Sequence, residues 1–489
     1  MRGKLKIGAV CVSAMLCLLA ICCATCGAQT RHASASAVPV LMVSDIHFEP
    51  FWDPAKMAQL AKTPAAGWKA ILAAPDSADR AQRFNDLQES CHARGIDTSY
   101  PLFVSSLSAM RADAAGIRFI TVGGDLIAHA FSCKYKTVFP QSTPAEYRSF
   151  VEKTIEFVLD SLRSNFSHVP VYAALGNNDS DCGDYQLDAQ SEFLMAMGKV
   201  FAADFPAAEQ KEAATTFAAG GYYSASLPTP IQHTRMLVLD DLFMARKYST
   251  CADKPDTTAA AAQIAWLREQ LERARTDNEH VWVMGHIPPG VDPYGTMTKG
   301  RNLCAGGSPQ MFLASESLAD TLAGFGDVVQ LAVFAHTHMD EMRLLEPEKS
   351  DAGHGPIALK MVPSISPIDG NNPSFTVGSV DPGSGVLTDY RVYAASNQTG
   401  VDTTWTKEYD YAEAYHESSF SAASLAALVT EFKADPAAQS GASAQYLRSY
   451  FVGAGSLSRA LGLFWPQYVC ALANHTEDSY RACACAKAP

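Results

Sequence analysis

Residues 38–50 read VPVLMVSDIHFEP. Val38–Val43 is a short apolar, β-rich run, and the chain turns polar at Ser44. A run of this length, bounded by polar residues, has the pattern of a strand buried on both faces. The chemistry is then carried by the loop that leaves it. The same phrase recurs along the chain. IRFITVGGDLIAH (117–129) runs into a glycine pair and Asp125, and VPVYAALGNNDSD (169–181) runs into Gly176 and Asn177. RMLVLDDLF (235–243) ends in acids, HVWVMGHIPPG (280–290) reaches His286, and VVQLAVFAHTHMDE (328–341) reaches His336 and His338. Amphipathic stretches lie between them. Glu146–Arg163 spaces Phe150, Ile155, Val158 and Leu162 at helical intervals, and Ala262–Arg275 does so with Ile264, Leu267 and Leu271. Strands alternating with helices predict a layered α/β domain, in which polar groups after successive strands can meet at one edge of the sheet.

The chain has 489 residues, of which 48% are hydrophobic and 18% charged, a globular composition. Its start reads as an export signal over 1–28: Arg2, Lys4 and Lys6 precede an uncharged stretch from Ile7 to Thr25, and Ala28 suits cleavage. A retained membrane tether is the alternative. Residues 29–37 read as a short leader. Five of the 13 cysteines fall in the signal, leaving Cys91, Cys133, Cys182, Cys251, Cys304, Cys470, Cys483 and Cys485. An even set in an exported chain predicts disulfides without choosing their pairing. The formal charge of −13 argues against stable nucleic-acid binding, so a phosphate substrate would need a local positive site. The domain is expected over 38–411, with 358–393 rich in strands. A helical module with three of the cysteines is expected over 412–489, with Phe464, Trp465 and Tyr468 in its core.

Asp45, His47, Asp125, Asn177, His286, His336 and His338 each stand just beyond an apolar run. Carboxylate oxygens and imidazole nitrogens suit zinc, manganese or iron. The ordered blocks Asp45–Ile46–His47, Gly124–Asp125, Gly176–Asn177, Gly285–His286 and Ala335–His336–Thr337–His338 resemble the calcineurin-like metallophosphoesterases. The longer strings GDLIAH, GHIPPG and AHTHMDE, with the cysteine-bearing helical extension, narrow the resemblance to the acid sphingomyelinase and sphingomyelinase-like phosphodiesterase branch. That resemblance implies a four-layer αββα sandwich. It also implies two divalent ions, zinc foremost, with manganese or iron as alternatives. Asp45, His47 and His338 would hold one, Asn177, His286 and His336 the other, and Asp125 would bridge them. A hydroxide activated by the pair would attack phosphorus. His129, matching a histidine near the scissile phosphate in the resembled enzymes, would protonate the leaving group.

The third block departs from the family pattern, because Asn178 stands where a histidine is usual. Asparagine can hydrogen-bond phosphate or the leaving group but carries no proton to shuttle. A similar asparagine pair in fungal endopolyphosphatases keeps polyphosphate open as a substrate. Purple acid phosphatases fit less well, since Ala128 occupies their tyrosine-ligand position. Asp240 and Asp241 read as structural, Asp340 and Glu341 as supports of the histidine loop, and Tyr294 and Lys299 as candidates for the substrate mouth. Acid sphingomyelinase has an added N-terminal saposin domain, and only 29–37 separate the signal from the first strand here. Soluble phosphodiesters, nucleotides and phospholipid headgroups are therefore all expected substrates, and no obligate protein partner is expected. The alternatives to a phosphodiesterase are a polyphosphate or nucleotide-anhydride hydrolase, or a secreted metal-dependent binding protein without turnover.

Overall fold

Val38–Val43 forms the strand expected of it, β1, in the middle of a sheet. The computed structural model describes residues 37–298, 302–347 and 353–486. The expected export signal, the expected leader apart from Ala37, and Lys299 lie outside the described residues. The strands that follow are β2 (Ile120–Val122), β3 (Val171–Ala173), β4 (Tyr223–Ser226), β5 (Thr234–Val238), β6 (His280–Met284), β7 (Val329–Phe334), β8 (Glu341–Leu345), β9 (Ile357–Met361), β10 (Ser374–Val380), β11 (Leu387–Ala395) and β12 (Trp405–Asp410). They make two six-stranded sheets, ordered β12-β11-β10-β1-β2-β3 and β4-β5-β6-β7-β9-β8. β1 runs parallel to β2 and antiparallel to β10. In the second sheet, β5, β6, β7 and β9 are parallel, and antiparallel β4 and β8 close its edges.

The period-two alternation of a strand sorts its side chains between two apolar layers. In β6, Trp282 and Met284 face the first sheet, where Phe119 meets Trp282 edge-on at 5.6 Å. Val281 and Val283 point the other way and pack with Leu267 and Leu271 of the helix Thr258–Asp277. The helices Tyr100–Asp113 and Pro144–Asn165 pack on the first sheet, giving helix, sheet, sheet, helix. Pro144–Asn165 begins where sequence chemistry starts it: Thr143 and Glu146 form a reciprocal capping box, and Pro144 opens the first turn.

After β12 the chain is helical, ending in Trp465–Ala473 and Glu477–Ala484. Trp465 and Tyr468 are fully buried, as expected, but Phe464 is 41% exposed. It occupies the N-cap position of its helix and projects to a groove rim rather than into the core. The eight cysteines among the described residues are all paired, as Cys91–Cys133, Cys182–Cys251, Cys304–Cys485 and Cys470–Cys483. The last two bonds tie the terminal helices to each other and to the loop at Leu303–Ala305. No described helix is long and apolar enough to cross a membrane.

Candidate metal centre

The C-terminal ends of β1, β2, β3, β6 and β7 open toward one place, and the residues that follow them meet there. Asp45, His47, Asp125, His336 and His338 all have left-handed backbones, with φ of 45°, 44°, 52°, 68° and 63°. Such conformations cost a non-glycine residue about 1–3 kcal/mol each and are held only where surrounding structure imposes them. Glycine makes the room. A Cβ on Gly176 would stand 2.1 Å from Asp125 Oδ1, so any larger residue would push the carboxylate out of place.

One carboxylate oxygen stands between two halves of the cluster. Asp125 Oδ2 is 3.4 Å from His47 Nε2 and 3.3 Å from His286 Nε2. On the first side, His338 Nε2 lies 3.1 Å from His47 Nε2 and 3.4 Å from Asp45 Oδ1. On the second, His286 Nε2 lies 3.1 Å from Asn177 Oδ1 and 3.3 Å from His336 Nδ1. Every residue expected at a metal is thus in one of two adjoining groups.

The outward atoms fix what the inward atoms can do. His47 Nδ1 donates to Ile127 O at 2.9 Å, and His286 Nδ1 donates to Gly123 O at 2.7 Å. His338 Nδ1 is 3.1 Å from Asp369 Oδ2, and His336 Nε2 is 3.1 Å from the Tyr185 hydroxyl. Asn177 Nδ2 donates to Asp184 Oδ1 at 2.7 Å, which turns Oδ1 inward. The inner nitrogens and oxygens are therefore lone pairs facing one another unless a proton or a cation lies between them. Burial drives His47 down to about 3, with His129 adding to the effect, so its ring is neutral. Burial opposes protonation of His286 and His338 too, but Asp125 lifts the first to about 10, and Asp45 and Asp369 lift the second to about 9. Asp45 is fully buried, and neither of its carboxylate oxygens has a hydrogen-bond partner. Two carboxylates, an amide oxygen and four imidazoles, converging with orphaned acceptors, are a donor set that fits divalent cations of the zinc kind.

Supporting residues are spread widely in sequence. Asp179 accepts from the backbone N–H groups of Leu126, Ile127 and Gly176, locking the second and third loops together. Asp241 accepts from the N–H groups of His286 and Ile287, which gives that acid its structural role. Asp340 binds Lys360 and accepts from the Tyr409 hydroxyl at 2.7 Å, bracing strands rather than the histidine loop directly. Asn178 donates through its backbone and side-chain amides to Asp125 Oδ1 and Oδ2, at 2.8 and 2.9 Å. The position where the family pattern has histidine is thus committed to holding the central carboxylate.

His129 stacks on His47 with ring centroids 4.0 Å apart, and its side chain is 35% exposed. Its Nδ1 lies 3.1 Å from Asp97 Oδ1, and its backbone N–H donates to Asp97 Oδ2 at 2.8 Å. Burial alone would lower the pKa of this ring, but Asp97 raises it above the ordinary value. Ser366 Oγ donates to Asp97 at 2.8 Å and completes the clamp. Asp97, Asp184, Tyr185 and Asp369 were not singled out by sequence, since none follows an apolar run. Beside His336 and Asp369 a groove of about 540 Å³ opens, walled by Tyr294, Phe312, Tyr450, Leu461 and Phe464. Tyr294 is 72% exposed along this groove.

A sequence profile of calcineurin-like phosphoesterases matches residues 38–340. The cyclic GMP-AMP phosphodiesterase SMPDL3A of Mus musculus is 24% identical over 401 residues, covering 79% of this chain and 81% of that protein. The acid sphingomyelinase-like phosphodiesterase 3b of the same species is 26% identical over 409 residues, covering 81% and 79%. Sphingomyelinase phosphodiesterase C of Dictyostelium discoideum is 23% identical over 256 residues, covering 52% and 50%. Among solved structures, a dimetal phosphatase from Danio rerio aligns with 77% of this chain and all of its own, at 11% identity and a TM-score of 0.38.

Proposed function

This chain belongs to the calcineurin-like phosphoesterase family, on its acid sphingomyelinase-like branch, and from that premise we propose that it is an exported phosphodiesterase working with two divalent ions. It is a metal-dependent phosphoester hydrolase. In our reading Asp45, His47 and His338 hold one ion, Asn177, His286 and His336 the other, and Asp125 both, with zinc foremost. The ions would supply the positive charge that receives phosphoryl oxygens and would activate the attacking water. The observation that carries this reading is Asp125 Oδ2, within 3.4 Å of His47 Nε2 on one side and 3.3 Å of His286 Nε2 on the other.

The chain's own groups do the remainder. Asp97 engages His129 at Nδ1, leaving Nε2 free, and its negative charge favours the protonated ring. Nε2–H is then the donor to the departing oxygen. Asn178 fixes Asp125 and moves no proton. The groove beside His336 receives the ester substituent, and its mixed aromatic and aliphatic walls accept a nucleoside or the apolar part of a lipid. The relatives point to the same class, since their names specify a cyclic dinucleotide phosphodiesterase and sphingomyelinase-like phosphodiesterases. Four disulfides support export to an oxidising compartment.

The test is hydrolysis of bis-p-nitrophenyl phosphate by the zinc-loaded protein, with p-nitrophenyl phosphate alongside. Faster diester turnover that His286→Ala abolishes is the expected result. Absence of metal-dependent diester turnover overturns the reading. Activity on phosphoanhydrides alone would replace it with an anhydride hydrolase.

A further inference from the structure

The segment 245–251 runs alongside Phe312 and Tyr185, two residues whose side chains contact His336. It is pinned at several points. Arg246 N donates to Phe312 O at 3.0 Å, Ser249 N to Tyr185 O at 3.1 Å, and Cys251 is bonded to Cys182. From this strap Lys247 reaches over the ring of Tyr185, its Nζ 4.7 Å from the ring centroid. Tyr185 is itself fixed: its hydroxyl is 3.1 Å from His336 Nε2, and its backbone N–H donates to Asn177 O at 2.9 Å. An exposed ammonium is therefore held one tyrosine ring away from the His336 side chain, on a residue whose backbone is bonded to that of Asn177.

Among the described residues Lys247 makes no ion pair within 4.0 Å, although Asp184 is close enough to feel its charge. The cation–π contact orients the ammonium without satisfying its N–H donors. Phe312 packs edge-on against His336 at 5.7 Å and also lines the groove, so the groove and the cation flank the same histidine. In a chain of net charge −13, a positioned and unpaired cation beside a phosphoester site is a feature that an anionic ligand would use.

We propose that Lys247 is a specificity-determining contact for a second anionic group of the substrate, one substituent removed from the scissile phosphate. The interposed Tyr185 ring sets that spacing. The matching substrate class is a phosphodiester that bears a further phosphate on the same ester substituent, as in a nucleotide diester with a terminal phosphate. This inference rests on the phosphodiesterase reading for which phosphate is cleaved, but its binding test does not need turnover.

Calorimetric titration of the zinc-loaded protein with thymidine 3′,5′-bisphosphate and with thymidine 5′-monophosphate measures the contact. One added charge-assisted hydrogen bond at a solvent-exposed site predicts that the bisphosphate binds roughly tenfold tighter at low salt, with the margin shrinking as salt is added. Lys247→Met should bring the ratio close to one while leaving monophosphate affinity in place, and Lys247→Arg should restore the preference. An unaltered protein without preference, a ratio unchanged in Lys247→Met, or an equal loss for both ligands overturns the proposal. Turnover of bis-p-nitrophenyl phosphate by the unaltered enzyme tests the phosphodiesterase reading separately.

Discussion

His129 has one ring nitrogen engaged by Asp97 and one free, and this division gives it a measurable signature. A proton donor matters most when the departing oxygen is basic and least when it is already stable as an anion. His129→Gln should slow alkyl phosphodiesters about 100-fold or more, within the usual range for losing a general acid, while p-nitrophenyl esters suffer far less. Asp97→Asn should show the same dependence on leaving group in weaker form, with zinc content unchanged. Equal losses on both ester types would mean that His129 binds rather than donates. His129 is singled out from the sequence by the resemblance, as the histidine of GDLIAH in the loop after Asp125. It hides Asp97, which lies 32 residues upstream and carries no strand phrase beside it. Tyr185 and Asp369 were hidden for a related reason: a side chain that orients a ligand needs only reach, and reach leaves no periodic trace. The candidate ligands were legible because each follows a strand closely, where the apolar run stops.

At the scale of elements, the buried strands were the readable part, since burial on both faces makes an unbroken apolar run. Val38–Val43 matches its expectation residue for residue. The helices from Met57 to Asp113 were not read, because they are short or weakly patterned and are held by tertiary packing. An edge element carries a prediction of its own. Glu408 on β12 is pushed up to about 8 by burial, with the charge of Asp340 adding to the effect. Its carboxyl holds a proton more tightly in the fold than in the unfolded chain, so its contribution favours the fold fully below the ordinary value of 4.5 and is lost as pH rises through about 8. Glu408→Gln should therefore melt with the parent at pH 4 but about 2–4 °C higher at pH 9, as judged by thermal unfolding. A difference of the same size at both pH values would show that the carboxyl does not titrate in this way.

For the molecule as a whole, the centre joins the two sheets, so its ions should act as a structural clasp as well as a reagent. Chelation leaves Asp45 buried with no donor and should lower the melting temperature, with zinc restoring it. A free ion at about a thousand times its dissociation constant would contribute roughly 4 kcal/mol. Asp45→Asn should blunt the chelator's effect, and a melting temperature indifferent to chelation would contradict metal-coupled stability. The place of β1 has a different consequence, which concerns the order in which the chain is made. β1 lies between β2 and β10, so one neighbour emerges soon after it and the other only when most of the chain has been synthesised. Until Ser374–Val380 arrives, the strand that leads into Asp45 offers an open apolar edge to any other nascent chain. A product halted between Leu345 and Ser374 would contain all seven candidate metal-binding residues and still lack the strand that seals the centre. Such fragments should leave the ribosome as sticky, chaperone-bound species rather than as small working enzymes.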